Sequence, residues 1–265
     1  AYSYGEYDRE MAMRYAMLLA LLAGTSAAAA DWPSWRGPAG TGSTTETKLP
    51  ERWSATENVA WKIPLPAYSG STPIIWGDTI FLNVATAANT GALELWAVDR
   101  RTQKVAWKRP LADSNHMERK QNMSSPSPVT DGSSVYALTG TGVLKAFDFK
   151  GRELWGRNLQ ADYGRFGLNW GYASSPLLHG GALFVQVLHG MKTDDPSYLL
   201  RIDAKTGKTV WKAERRTAAI QESPDAYTTP VLLTHGSATE VVAEAVRALE
   251  ALERLTGGGV AFRLE

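Results

Sequence analysis

A tryptophan returns along this chain at a nearly fixed distance behind an aspartate, and no other feature limits the fold so narrowly. "LELWAVDRRTQKVAWKRPL" places Asp99 eight residues before Trp107, "LKAFDFKGRELWGRNL" places Asp148 seven before Trp155, and "YLLRIDAKTGKTVWKAE" places Asp203 eight before Trp211. Upstream, "NVAWKIPL" nearly repeats "KVAWKRPL" and contributes Trp61, so the four tryptophans stand 46, 48 and 56 residues apart. A second landmark keeps step with the first: Ser/Thr-Pro recurs at Pro73, Pro128, Pro176 and Pro230, each time before a short apolar run and a turn. Self-similarity at this period is the signature of a repeat architecture.

Each unit reads as four short strands. In the second, "SPSPVT", "SVYALT", "VLKAFDF" and "ELWGRNL" are divided by "DG", "GTG" and "KG", which supply the positive φ that tight hairpins need. A lone four-stranded meander leaves both faces in water, so several must pack face to face around an axis. The expected fold class is therefore all-β: a partial β-propeller of four-stranded antiparallel blades, about three complete units with partial ones at each end. The repeated Trp61, Trp107, Trp155 and Trp211, with Asp99, Asp148 and Asp203, are expected to be structural. Each indole should be mostly buried between neighbouring units, with its N–H on a carbonyl.

The repeats resemble the pyrroloquinoline quinone (PQQ)-type repeat, whose Ala/Ile-x-Asp, Thr-Gly-Lys and Trp pattern is matched best by "RIDAKTGKTVW". The resemblance runs from about Trp32 to Val242 and includes "DWPSWRGPAGTG", which looks like the start of secreted bacterial PQQ-like propellers. It implies the quinoprotein alcohol dehydrogenase-like superfamily, which includes both dehydrogenases and quinone-free proteins such as the outer-membrane protein assembly propeller. The dehydrogenases it points to would stack an adjacent Cys-Cys disulfide on the quinone and use a carboxylate and a calcium site. This chain has no cysteine and shows no dense cluster of oxygen ligands. No cofactor is expected, and a PQQ-dependent alcohol or sugar oxidoreductase is the alternative.

Residues 1–10 read as an upstream extension and residues 11–30 as a secretory signal peptide, with Arg14, an apolar run over 16–23 and small residues before a cleavage after Ala30. That run is too short to span a bilayer, so a periplasmic or secreted location without a membrane anchor is expected. A net charge of +1 offers no field for nucleic acid. Propeller repeats are expected over residues 31–242. Beyond them, apolar residues at helical spacing from Val242 to Leu255 predict an amphipathic helix over 241–255 in an atypical tail, residues 243–265, that interrupts the fourth unit. Either the helix caps an open arc of blades, or the downstream coding sequence has been lost or shifted.

With no catalytic or metal-ligating set in view, ligand binding is expected in the loops that join one unit to the next, "ADSNHMERKQNM", "QADYGRFGLNWGY" and "ERRTAAIQESPDAY", which a propeller gathers at one mouth of its channel. The candidates are Arg119, Asn122, Arg165, Asn169, Trp170 and Glu222. Trp170 and Tyr172 have inter-unit packing as their alternative, and Arg119 and Glu222 a solvated surface. His116, His179, His189 and His235 lie on separate units without metal spacing and are expected in solvent or at turns. The expected role is a non-catalytic binding or scaffold propeller, its partner an envelope protein or a small molecule.

Overall fold

The computed structural model describes residues 30–47, 49–118, 120–217, 219–221, 223–235, 238–243 and 262–263. The chain divides at Ala30, and the unit Asp31–Glu265 carries every described sheet. Residues 1–29, which hold the upstream extension and nearly all of the expected signal, lie outside the described residues.

The first sheet is β1 (Ile74–Trp76), β2 (Thr79–Ala85), β3 (Leu93–Asp99) and β4 (Lys104–Ala112), paired in that order. A two-residue ribbon follows, β5 (Met117–Glu118) with β6 (Gln121–Asn122). The second sheet is β7 (Val129–Thr130), β8 (Ser134–Leu138), β9 (Val143–Asp148) and β10 (Glu153–Asn158). After the short helix α1 (Leu159–Tyr163) comes the third, β11 (Leu177–His179), β12 (Ala182–Val187), β13 (Ser197–Asp203) and β14 (Thr209–Arg215). The fourth joins β15 (Val231–His235), β16 (Ala238–Val242) and β17 (Phe262–Arg263). All neighbours run antiparallel, and the chain is a partial β-propeller.

Strand alternation builds the stack. Successive side chains point to opposite faces, so Phe81 packs towards the second sheet with Leu95, Val135 and Phe147, while Leu82 joins Val84, Trp96 and Val98 under Trp61 and Ile63. Tyr136, next to Val135, faces the third sheet with Leu138, Leu144, Val185 and Leu200. Phe184 and Leu199 meet Val241 of the fourth. Each fully buried side chain of this size contributes about 1.5–3 kcal/mol, so the apolar contacts between sheets hold the units together.

The repeated tryptophan fastens the joints between the first three sheets. Trp107 Nε1 donates to Phe149 O at 2.9 Å, and Trp155 Nε1 donates to Ala204 O at 2.9 Å. Both acceptors sit one residue after the next unit's aspartate. Each ring packs against the glycine of that same turn: a Cβ on Gly151 would come 2.9 Å from Trp107, and one on Gly207 would come 2.6 Å from Trp155. Those glycines hold φ of 81° and 70°, a region where a side chain is also strained. Two residues after each tryptophan, Arg109 Nε donates to Gly151 O and Arg157 donates to Gly207 O at 2.7 Å. The aspartates shape the turns from within. Asp99 Oδ1 accepts from Thr102 N and Asp203 Oδ1 from Thr206 N, each at 2.8 Å, and Asp148 Oδ1 accepts from Arg152 N at 2.9 Å.

Trp107, Trp155 and Trp211 keep only a minor part of their surface in solvent and pack against the buried clusters, as expected. Two expectations change. Val241 and Val242, assigned above to a helix, end strand β16 instead, and Val241 is fully buried against the third sheet. Their β-branched side chains suit a pleated surface. Phe262–Arg263 also returns to pair with β16, so the tail is not wholly separate from the fourth unit. Residues 244–261, the remainder of the helix expectation, lie outside the described residues.

Candidate functional site

The Ser/Thr-Pro landmark lies where the units converge. Thr72 N donates to Ser127 Oγ at 2.9 Å, Ser127 N to Ser175 Oγ at 2.9 Å, and Ser175 N to Thr229 Oγ1 at 3.0 Å. The residue before each proline thus binds its counterpart one unit on. A proline fixes its own φ and holds the preceding residue extended, which presents these groups in register. One turn deeper, Asn83 Nδ2 donates to Pro126 O and Leu138 O at 2.7 and 2.9 Å, and Gln186 Nε2, at the same register on β12, donates to Thr228 O.

Ser127, Ser175 and Thr229 line a cavity of about 500 Å3 with Trp35, Tyr68, Gln121, Lys120, Trp170 and Tyr227. Lys120, Trp170 and Tyr227 come from the three inter-unit loops, which gather at one mouth as expected. Lys120 Nζ stands 4.7 Å from the Trp170 ring centroid. Trp170 N donates to Tyr227 Oη at 3.3 Å, and that hydroxyl donates to Asp225 Oδ2 at 3.2 Å. Trp35 belongs to the opening "WPSWRGP" segment, which is tied down by paired backbone bonds between Trp32 and Ile75 and by Thr130 N on Pro33 O at 3.0 Å. It lines this cavity and also a second one of about 220 Å3.

Of the expected site residues that the structure describes, only Trp170 lines the cavity. Asn122 is fully buried and its amide is committed: Nδ2 donates to Tyr68 O at 2.6 Å and Oδ1 accepts from Ser124 Oγ at 2.7 Å. It shapes the loop from inside. Asn169 is buried, its N–H donating to Asp225 Oδ2 at 2.8 Å, and Arg165 is exposed. Arg119 and Glu222 lie outside the described residues. Tyr172 is inter-unit packing, its hydroxyl on Gln186 O at 2.8 Å and held protonated by complete burial. Sequence reasoning missed Lys120, the three hydroxyls and Trp35. For the hydroxyls the signal was present in the recurring Ser/Thr-Pro.

His189 is buried, not solvated. Its Nδ1 accepts from Gly167 N at 3.0 Å and Nε2 faces Pro196 O at 3.3 Å, the pattern of a neutral ring. Burial holds its pKa below the usual value of 6.5. The unfolded chain therefore takes up a proton before the folded one does, so stability present above pH ~6.5 is lost as the pH falls from there towards the folded pKa. Urea midpoints should drop between pH 7.5 and 5.5, and His189→Gln should flatten that dependence; an unchanged slope contradicts the assignment.

A family model described as outer membrane protein assembly factor BamB matches residues 46–213 and 97–257. No curated protein matches the sequence. Among solved structures, a quinohemoprotein alcohol dehydrogenase from Comamonas testosteroni is similar at 18% identity and a TM-score of 0.48, over 73% of this chain and 28% of that one. A europium-containing methanol dehydrogenase is similar at 17% identity and 0.46, over 60% and 27%. Quinohemoprotein alcohol dehydrogenase ADHIIG from Pseudomonas putida HK5 follows at 19% and 0.41, over 58% and 22%. The chain spans about a quarter of the length of these structures.

Proposed function

Because the chain belongs to the family of outer membrane protein assembly factor BamB, we propose that it is a non-catalytic binding or scaffold propeller of the bacterial envelope or exterior. The family and the signal-like segment before Asp31 support that location, and among the described residues no helix is long and apolar enough to cross a membrane. The observation that carries the reading is the donor set of the channel mouth. PQQ is a flat tricyclic molecule with three carboxylates, whereas Lys120 is the one cation among the described residues lining the cavity, and no carboxylate lines it as a base. Among the described residues no group of three or more His, Cys, Asp or Glu side chains could hold a metal ion, and the chain has no cysteine for a disulfide over the quinone. The residues do not fit that cofactor. They suit recognition, with aromatic faces and hydroxyls on a rigid scaffold.

Purified protein supplied with PQQ and calcium should show no dye-linked oxidation of alcohols or sugars. Turnover above the protein-free background would overturn the proposal and favour a quinone-dependent oxidoreductase.

A further inference from the structure

Ser127 Oγ, Ser175 Oγ and Thr229 Oγ1 each receive one backbone N–H. Each hydroxyl also carries one hydrogen to donate, and among the described residues none of the three meets an acceptor. Three successive units thus present three uncommitted O–H donors to the same cavity, in a row fixed by the prolines that follow them. Ser127 and Ser175 are buried, so their donors have little access to bulk water. Lys120 adds a positive charge above Trp170, and no acidic side chain lines the cavity among the described residues. A carboxylate is the acceptor best matched to such a set, because hydrogen bonds to an ionised acceptor are shorter and stronger. One cation matches one negative charge.

The remaining walls specify the body of the ligand. Trp35, Tyr68, Trp170 and Tyr227 offer aromatic faces, and Gln121 an amide. Alternating aromatic and polar groups suit a ring with an apolar C–H face and hydroxyls at its rim. A volume of about 500 Å3 lies within the range of small-molecule sites, ~300–1,000 Å3.

We propose that the channel mouth binds an acidic pyranose, its carboxylate on the Ser127, Ser175 and Thr229 hydroxyls beside Lys120 and its ring against Trp170. This rests on the reading of the protein as a binder. Calorimetric titration of the full chain with sodium D-glucuronate, D-glucose and sodium acetate tests it. Glucuronate should bind saturably, at least about tenfold more tightly than either glucose or acetate, which corresponds to about 1.4 kcal/mol. Lys120→Gln, a change at an exposed side chain, should weaken glucuronate about five- to tenfold, leave glucose unchanged and leave the melting temperature unchanged. Trp170→Leu should weaken both sugars. Absence of saturable glucuronate binding, equal binding of all three probes, or an unaltered Lys120→Gln affinity would each overturn the proposal. None of these outcomes involves quinone turnover, so failure here is distinguishable from failure of the binding reading.

Discussion

Trp155→Ala is expected to destabilise the protein by about 3 kcal/mol, the low end of large aromatic truncations because the ring is not fully buried. Three contacts disappear together: the Nε1 bond to Ala204 O at 2.9 Å, the packing against Gly207, and the tilted contact with Tyr136 at 6.1 Å between ring centroids. The joint between the second and third units loses its clasp. Trp155→Phe keeps an aromatic face but no N–H donor, and should recover all but about 1 kcal/mol, the usual net contribution of one hydrogen bond. Urea unfolding measures both. A loss below about 1 kcal/mol for the alanine variant would show that Trp155 does not fasten this joint.

Asn83→Leu should cost about 2 kcal/mol or more, although the replacement is apolar and the site is fully buried. Its Nδ2 is the donor for Pro126 O and Leu138 O, and a carbonyl left buried without a donor costs roughly 1–3 kcal/mol. The second unit has Leu138 at the equivalent register, paired with Leu144, so the backbone accepts leucine there. The expected loss is therefore the price of the orphaned carbonyls, not of a poor fit. Gln186→Leu should act in the same direction through Thr228. Unchanged urea midpoints for both variants would remove these amides from the account of how the units are tied around the channel.

The repeat made the sheets legible. "SVYALT" reads as a strand, whose successive side chains point to opposite faces, and the structure sends Val135 and Tyr136 to two different cores. Turn glycines and aspartates marked the hairpins, and the spacing of Trp107 and Trp155 anticipated their carbonyl partners. What the sequence hid depends on distances between units. Asn122 looked like a loop ligand because nothing local shows that Tyr68 O, 54 residues earlier, takes its amide proton. Lys120 looked like any surface charge until Trp170 stood beneath it. His189 lacked a local sign of burial because its partners, Gly167 and Pro196, come from loops on either side. At Val241 and Val242 two readings competed, and the sheet partner decided for strand over helical periodicity.

The central claim is that the regular tryptophans hold neighbouring units together, which leaves recognition to the channel mouth. Hydrogen exchange of the indole N–H groups, followed residue by residue by NMR, tests it most directly. Trp107 and Trp155, bonded to Phe149 O and Ala204 O, should exchange only on global opening, while Trp53, 70% exposed, should exchange at close to the rate of a free indole. If Trp107 and Trp155 exchange as fast as Trp53, the joints are not made as described and the claim fails.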